Sequence, residues 1–132
     1  MALKRKELLK EVNRMQRVLG RQEILHIPDY WQVFYEVNGH NKVKGFAILY
    51  QYLRLPIKNE YMTGRTAELT VFTFPEYRHQ QVCTRLVKKA ISYAKMWNLD
   101  IVADSNGDSY ELLKRLKFKD VNEHRIWQHL SH

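Results

Sequence analysis

The chain has one cysteine, Cys83, in 132 residues. That excludes an internal disulfide framework and a multi-cysteine metal site. No apolar run approaches the ~18 residues that span a bilayer, so no membrane segment is expected. The basic start Met1-Ala2-Leu3-Lys4-Arg5-Lys6 leads into an amphipathic pattern, not the apolar stretch of a signal peptide. A cytoplasmic location is the default expectation. No repeat, low-complexity tract or linker divides the chain. Of the histidines, His124, His129 and His132 gather in the tail at spacings of five and three with no cysteine near them, the pattern of terminal histidines and not of a metal site.

Acids are also scarce, 14 against 22 Lys and Arg, for a net charge of +8. Residues 1–21 alone hold seven cations (Lys4, Arg5, Lys6, Lys10, Arg14, Arg17, Arg21) against Glu7 and Glu11. Such an arm suits nucleic acid, an acidic protein or a phosphorylated ligand, and it is equally the pattern of a solvated helix face.

What is present is enough for one ordinary domain. Apolar residues make up 45% and aromatics 12%, so the chain should bury a real core. Leu8, Val12, Met15 and Leu19 recur at helical spacing, with Lys10, Arg14, Arg17 and Arg21 on the other side in water and Gly20 as a C-cap. Pro28 and Asp29 break the pattern near Tyr30 and Trp31. Gln32–Val37 and Val43–Leu53 read as a hairpin around Asn38-Gly39-His40-Asn41. Residues 54–65, with Pro56, Asn59 and Gly64, read as a surface loop.

Thr66–Phe74 carries apolar groups on both faces, Leu69 and Val71 against Phe72 and Phe74, as an interior strand does. Pro75 stops it. Gln80–Trp97 is a helix whose packed face is Val82, Leu86, Ala90, Tyr93 and Trp97. Leu99–Ala103 is a short strand. Asp108-Ser109-Tyr110-Glu111 caps a last helix that buries Leu112, Leu113 and Leu116. Phe118–Leu130 supplies one or two closing strands. The order implies an α/β (α+β) fold, a mixed, mostly antiparallel sheet flanked by helices.

The turn between the Thr66–Phe74 strand and the following helix is the best place for chemistry. A helix start has unpaired N–H groups and a positive dipole end, which suit a phosphate. Arg78 and His79 stand just before it. Glu68 is the strand's one acid, amid apolar neighbours; it reads either as a general base or as a partner for a nearby cation.

The run Ala67-Glu68-Leu69-Thr70-Val71-Phe72-Thr73-Phe74-Pro75-Glu76-Tyr77-Arg78, followed by a long helix, Asn106 and Leu116-Lys117-Phe118, resembles the GNAT (GCN5-related N-acetyltransferase) superfamily. The likeness covers residues 32–128 in topology and 67–118 in detail. It implies acetyl-CoA as cofactor, held by Phe72, Thr73, Phe74, Arg78, His79, Gln80, Gln81, Val82, Cys83, Thr84 and Asn106. It also implies direct transfer to an amine, with Glu68 as the base and a tyrosine of the last helix as the acid.

Three departures from the family pattern stand out. Its Arg/Gln-x-x-Gly-x-Gly/Ala motif reads Arg78-His79-Gln80-Gln81-Val82-Cys83 here, with side chains where the backbone should approach phosphate closely. Its Tyr-x-x-x-Gly-Phe motif puts Leu113 at the tyrosine and Lys117 at the glycine. Tyr110 lies one turn earlier, ~60° and ~4.5 Å away on an ideal helix. The family's first strand has no counterpart.

Three functions follow as expectations. The first is an acetyl-CoA-dependent N-acetyltransferase acting on a small-molecule or protein amine. The second is a GNAT-like domain without catalysis, serving binding or assembly in a larger complex such as a viral one, its cleft filled by side chains. The third is a nucleic-acid module using the basic helix, with steeply salt-dependent binding.

Overall fold

The computed structural model describes residues 2–51, 66–104, 110–122 and 126–130, and for Asp104, Tyr110 and Asn122 the backbone alone. The first helix, α1, runs Arg5–Val18 and is followed by the hairpin β1 (Trp31–Val37) and β2 (Val43–Tyr50). Then come β3 (Thr66–Thr73), a 3-10 turn at Pro75–Tyr77, α2 (Val82–Met96) and β4 (Asp100–Asp104). The chain closes with α3 (Tyr110–Arg115), β5 (Lys119–Asn122) and β6 (Ile126–His129). The loop expected at 54–65, and the cap expected at Asp108 and Ser109, lie outside the described residues.

The six strands form one mixed sheet in the order β1-β2-β3-β4-β6-β5. Among the described strands only β3 and β4 pair in parallel; the other four neighbouring pairs are antiparallel. A parallel pair needs a crossover, and α2 supplies it. β3 is the interior strand its two apolar faces predict. Ala67 and Leu69 join Leu86, Val87, Ala90, Leu113 and Trp127 in one core under α2 and α3. Phe72 and Phe74 join Val12, Met15 and Phe46 in a second core under α1. Each large side chain taken wholly from water, such as Leu86 or Phe46, contributes about 1.5–3 kcal/mol.

Two helix faces differ from expectation. On α2 the buried stripe is Val82, Leu86, Val87, Ala90, Ile91 and Ala94, while Trp97 is 62% exposed. The helix ends at Met96, so Trp97 falls past the last turn and leaves the packed face. On α1, Leu19 is exposed and Glu11, Val12, Met15 and Gln16 are buried. Arg14 is not in water with the other cations. Its guanidinium lies 3.6 Å over the Phe74 ring, holds the Glu11 carboxylate, and donates to the Val43 carbonyl at 2.8 Å. Glu11 in turn accepts the Val43 N–H at 2.7 Å. A helix face that must dock on a strand end with free backbone groups thus takes a buried Glu11 and its half-buried partner Arg14 along with its apolar stripe.

The three helices among the described residues stop in the same way. Gly20, Asn98 and Lys117 adopt left-handed φ of 69°, 56° and 71°. The next amide reaches back to the carbonyl five residues earlier: Arg21 to Gln16 (2.8 Å), Leu99 to Ala94 (2.7 Å) and Phe118 to Leu113 (2.9 Å). This is the Schellman stop, made with glycine at α1 and without it at α2 and α3.

Candidate active site

The β3–β4 ladder runs from Thr66–Asp100 to Leu69–Ala103. β3 continues to Thr73, so its last residues have no described strand on the β4 side. The Phe74 N–H donates to Lys44 on the β2 side at 2.9 Å. Antiparallel pairing alternates, so Phe72 and Thr70 also turn their backbone groups to β2, and Val71 and Thr73 turn theirs to the open edge. Val71 was not among the expected site residues. Nothing in its side chain marks it, because the feature is a backbone direction set by the ladder. The side chains of Phe72 and Phe74, expected at the site, are buried in the α1 core instead. Bulky rings between two packed layers gain more from burial than a cleft could return, so only the strand's backbone remains for a ligand.

Beyond Thr73 the chain bends through Pro75–Tyr77 into Arg78, whose backbone is still extended. His79 and Gln81 then take left-handed φ of 68° and 59° before α2 begins. Gln81 is the residue before the helix and makes no side-chain cap bond. The N–H groups of Val82, Cys83 and Thr84 therefore open toward the turn, in the arrangement that favours an anion. The side chains of Arg78, His79, Gln80 and Gln81 are exposed, and Val82 is buried. The backbone conformation that a glycine would adopt at 81 is present without the glycine, and the Gln81 side chain points to solvent instead of filling the turn.

Gly45 of β2 holds this region together. A Cβ there would meet the Phe72 carbonyl oxygen at 2.7 Å and Val82 Cγ1 at 3.1 Å, so the strand, its neighbour and the helix start touch through a bare backbone. Arg85 braces the same turn. It donates to the Gln80 carbonyl at 2.9 Å and forks onto Glu36 of β1 at 2.9 and 2.6 Å. The Arg85 guanidinium holds the Glu36 carboxyl below its usual range, against a smaller upward push from burial and with help from Lys44. Arg115, at the end of α3, donates to Thr84 Oγ1 at 3.2 Å and so stands beside the helix start. Sequence reasoning missed it, because only the docking of α3 against α2 brings it there.

Cys83 shares a hydrogen bond with Thr73. Burial pushes its thiol up, outweighing Thr73 and Arg78, so it is a packed small residue and not a thiolate. Leu113, at the family's tyrosine position, is fully buried and carries no proton to give. Tyr110 opens α3, but its side chain and all of Asn106 lie outside the described residues. Of the tail histidines, His129 packs against Phe118, and its imidazole is held below its usual range by burial and by Lys95, with backbone bonding and Asp100 opposing. His124 and His132 lie outside the described residues. Among those described, no cluster of potential metal ligands exists, and no helix is long and apolar enough to cross a membrane.

Glu68 lies opposite Tyr50 on β2 and Val102 on β4, half-buried. By alternation it shares the α1 face with Thr70 and Phe72. It lines a cavity of about 300 Å³ with Gln16, Arg21, Trp31, Tyr50 and Thr70. The anion-favouring turn sits at one end of β3, and the carboxylate lies five residues back, roughly 16 Å at ~3.3 Å per residue.

No curated protein matches the sequence. Solved structures do match the fold. A spermidine N-acetyltransferase chimera of Vibrio cholerae and human sequences superposes with a TM-score of 0.71 at 17% identity, covering 98% of this chain and 95% of that one. Tetrahymena GCN5 gives 0.70 at 14% identity, over 98% and 91%. A putative acetyltransferase from Acinetobacter baylyi gives 0.66 at 16% identity, over 94% and 84%. At such identities the likeness establishes the fold alone. The sequence itself matches the profile of the acetyltransferase (GNAT) family over residues 6–118. The chain therefore belongs to the GNAT acetyltransferase family.

Proposed function

We propose that the protein is an acetyl-CoA-dependent N-acetyltransferase that acts on an amine by direct transfer. The observation that carries this reading is the turn 78–84: two left-handed residues and an uncapped helix start are kept although the family's glycines are not. A left-handed residue other than glycine costs on the order of 1 kcal/mol, and two of them stand within three positions directly before an uncapped helix start. The exposed Gln81 side chain also counts against a cleft filled by its own residues, and so against the non-catalytic alternative.

The residues fit the cofactor's chemistry. The amides of Val82, Cys83 and Thr84, with Arg78 and Arg115, would hold its pyrophosphate. The free backbone groups of Val71 and Thr73 would hold its amide-bearing arm along the open edge of β3. Acetyl-CoA supplies the acetyl thioester. Glu68 takes the proton of the acceptor amine, directly or through water. Residue 113 cannot protonate the departing thiolate, so water or Tyr110 does so; a thiolate tolerates leaving without a strong acid.

Calorimetry with acetyl-CoA and CoA tests the reading. Binding that disappears in Arg78→Ala supports it. A chain that stays folded and shows no heat at millimolar cofactor overturns it.

A further inference from the structure

Asn98 and Lys117 are left-handed without being glycine, and each sits at a helix end, where an amide reaching back across the last turn locks it. Gln81 takes the same conformation, φ 59° and ψ 25°, at a helix start, where there is no preceding turn to reach across. What holds it there is Arg85. The Arg85 side chain donates from Nη1 to the Gln80 carbonyl at 2.9 Å, and its backbone N–H donates to the Gln81 carbonyl at 3.2 Å. Those carbonyls belong to the peptide planes on either side of the Gln81 Cα, so one residue fixes both planes of the left-handed turn. In a planar trans peptide the N–H points opposite to its carbonyl. The Gln81 and Val82 amides are therefore aimed away from Arg85.

The backbone bond is one that any helix makes, but the side-chain bond needs an aimed guanidinium. Glu36 aims it. Nε and Nη2 fork onto the two carboxylate oxygens at 2.9 and 2.6 Å, which leaves Nη1 for Gln80. Because the guanidinium is planar and rigid, gripping one edge fixes where the other points. The sheet in turn places Glu36. It lies opposite Gly45 on β2, with Lys44 at 3.6 Å, and the absent side chain at 45 keeps Val82 and the helix start close to the strand. We infer that Arg85, oriented by Glu36, is a positioning residue for the turn: it holds Gln81 in the backbone conformation that glycine adopts freely, and so presents the Val82 amide to a phosphate. This inference rests on the acetyl-CoA-binding role proposed above.

The test combines calorimetry with acetyl-CoA and nuclear magnetic resonance of the ligand-free chain. It uses the parent, Glu36→Gln, Arg85→Lys, and each of these variants joined to Gln81→Gly. Alone, either substitution should weaken acetyl-CoA binding about tenfold, the scale of left-handed strain no longer held. Urea unfolding should change little, because an ion pair this open to water contributes little to stability. Charge does not explain such a loss: Arg85→Lys keeps the cation, and Glu36→Gln removes an anion, which alone would favour a phosphate. With Gln81→Gly in place, the same substitutions should weaken binding no more than about twofold, because glycine takes the conformation unaided. An equal loss in both backgrounds, or none in either, overturns the inference. The strong amide-to-Hα cross-relaxation of a left-handed Gln81 should be present in the parent and reduced in Glu36→Gln; its persistence at full strength there overturns the inference as well. A parent chain that binds no acetyl-CoA would instead sink the transferase reading, while the resonance signature still decides whether Glu36 and Arg85 hold the turn.

Discussion

Lys117 and Gln81 both carry side chains into a backbone conformation that glycine prefers, and they test differently. Lys117 ends α3 at φ 71° with its side chain exposed, so its cost is purely conformational. Lys117→Gly should raise stability by up to about 1 kcal/mol in urea unfolding, the left-handed strain relieved less the extra freedom glycine has when unfolded. Gln81, at φ 59°, stands where a ligand would approach. Gln81→Gly should raise stability by a similar amount and in addition tighten acetyl-CoA binding in calorimetry; unchanged binding would show that the turn does not meet the cofactor. Gly45 behaves in the opposite sense. Gly45→Ala drives a methyl against the Phe72 carbonyl, where neither strand can yield, and should lower stability by about 1–3 kcal/mol in thermal or urea unfolding.

At the scale of elements, α1 is fastened to the sheet by one ion pair and not by its apolar stripe alone. Burial pushes the Glu11 carboxyl up, but Arg14, the Val43 N–H and Lys42 outweigh it, and the group is held below its ordinary value of 4.5. A carboxylate depressed in the folded state stabilises fully above its unfolded value, and that contribution fades as pH falls from there through the lower folded value. Glu36, depressed by Arg85, adds in the same direction. Melting temperature should therefore fall as pH drops below about 4.5, and less steeply in Glu11→Gln than in the parent chain. Glu11→Ala leaves the Val43 amide and Arg14 without their partner and should cost about 2–3 kcal/mol at neutral pH, read by urea unfolding.

The elements themselves were legible in the sequence. Hairpin, interior strand, crossover helix and closing strands all follow from period and punctuation, because one-sided or two-sided burial writes itself into the spacing of apolar residues. The Glu11–Arg14 pair was not legible. Spacing places Arg14 among solvent-facing cations, and only the docking of α1 against the Val43 end of β2 shows what it serves. The site was half legible. Glu68 and the turn after β3 could be read from residue types, whereas Val71 enters through a backbone direction and Arg115 through the packing of α3 on α2.

For the whole molecule, the excess of positive charge is less available than composition implies. Several of the arginines near the start hold carboxylates of the same chain, which weakens the case for a nucleic-acid arm. Arg78 stands exposed beside the turn, while Lys4, Lys6 and Lys10 remain exposed in the N-terminal segment. Acetyl-CoA at ~100 times its dissociation constant should stabilise the fold by about 2.7 kcal/mol, visible as a clear rise in melting temperature that shrinks at high salt. No rise at saturating ligand would leave the fold without its expected cofactor.

The left-handed turn at His79 and Gln81 bears on how such proteins are found. A strict motif that demands glycine before the crossover helix reads letters, and it would pass over this chain although its turn takes the left-handed shape that glycine adopts most readily. A pattern written in torsion angles, with two left-handed residues flanking one other and a bare glycine on the neighbouring strand, would retrieve it. Proteomes screened in that way should yield further members whose alphabet has drifted while their geometry has not.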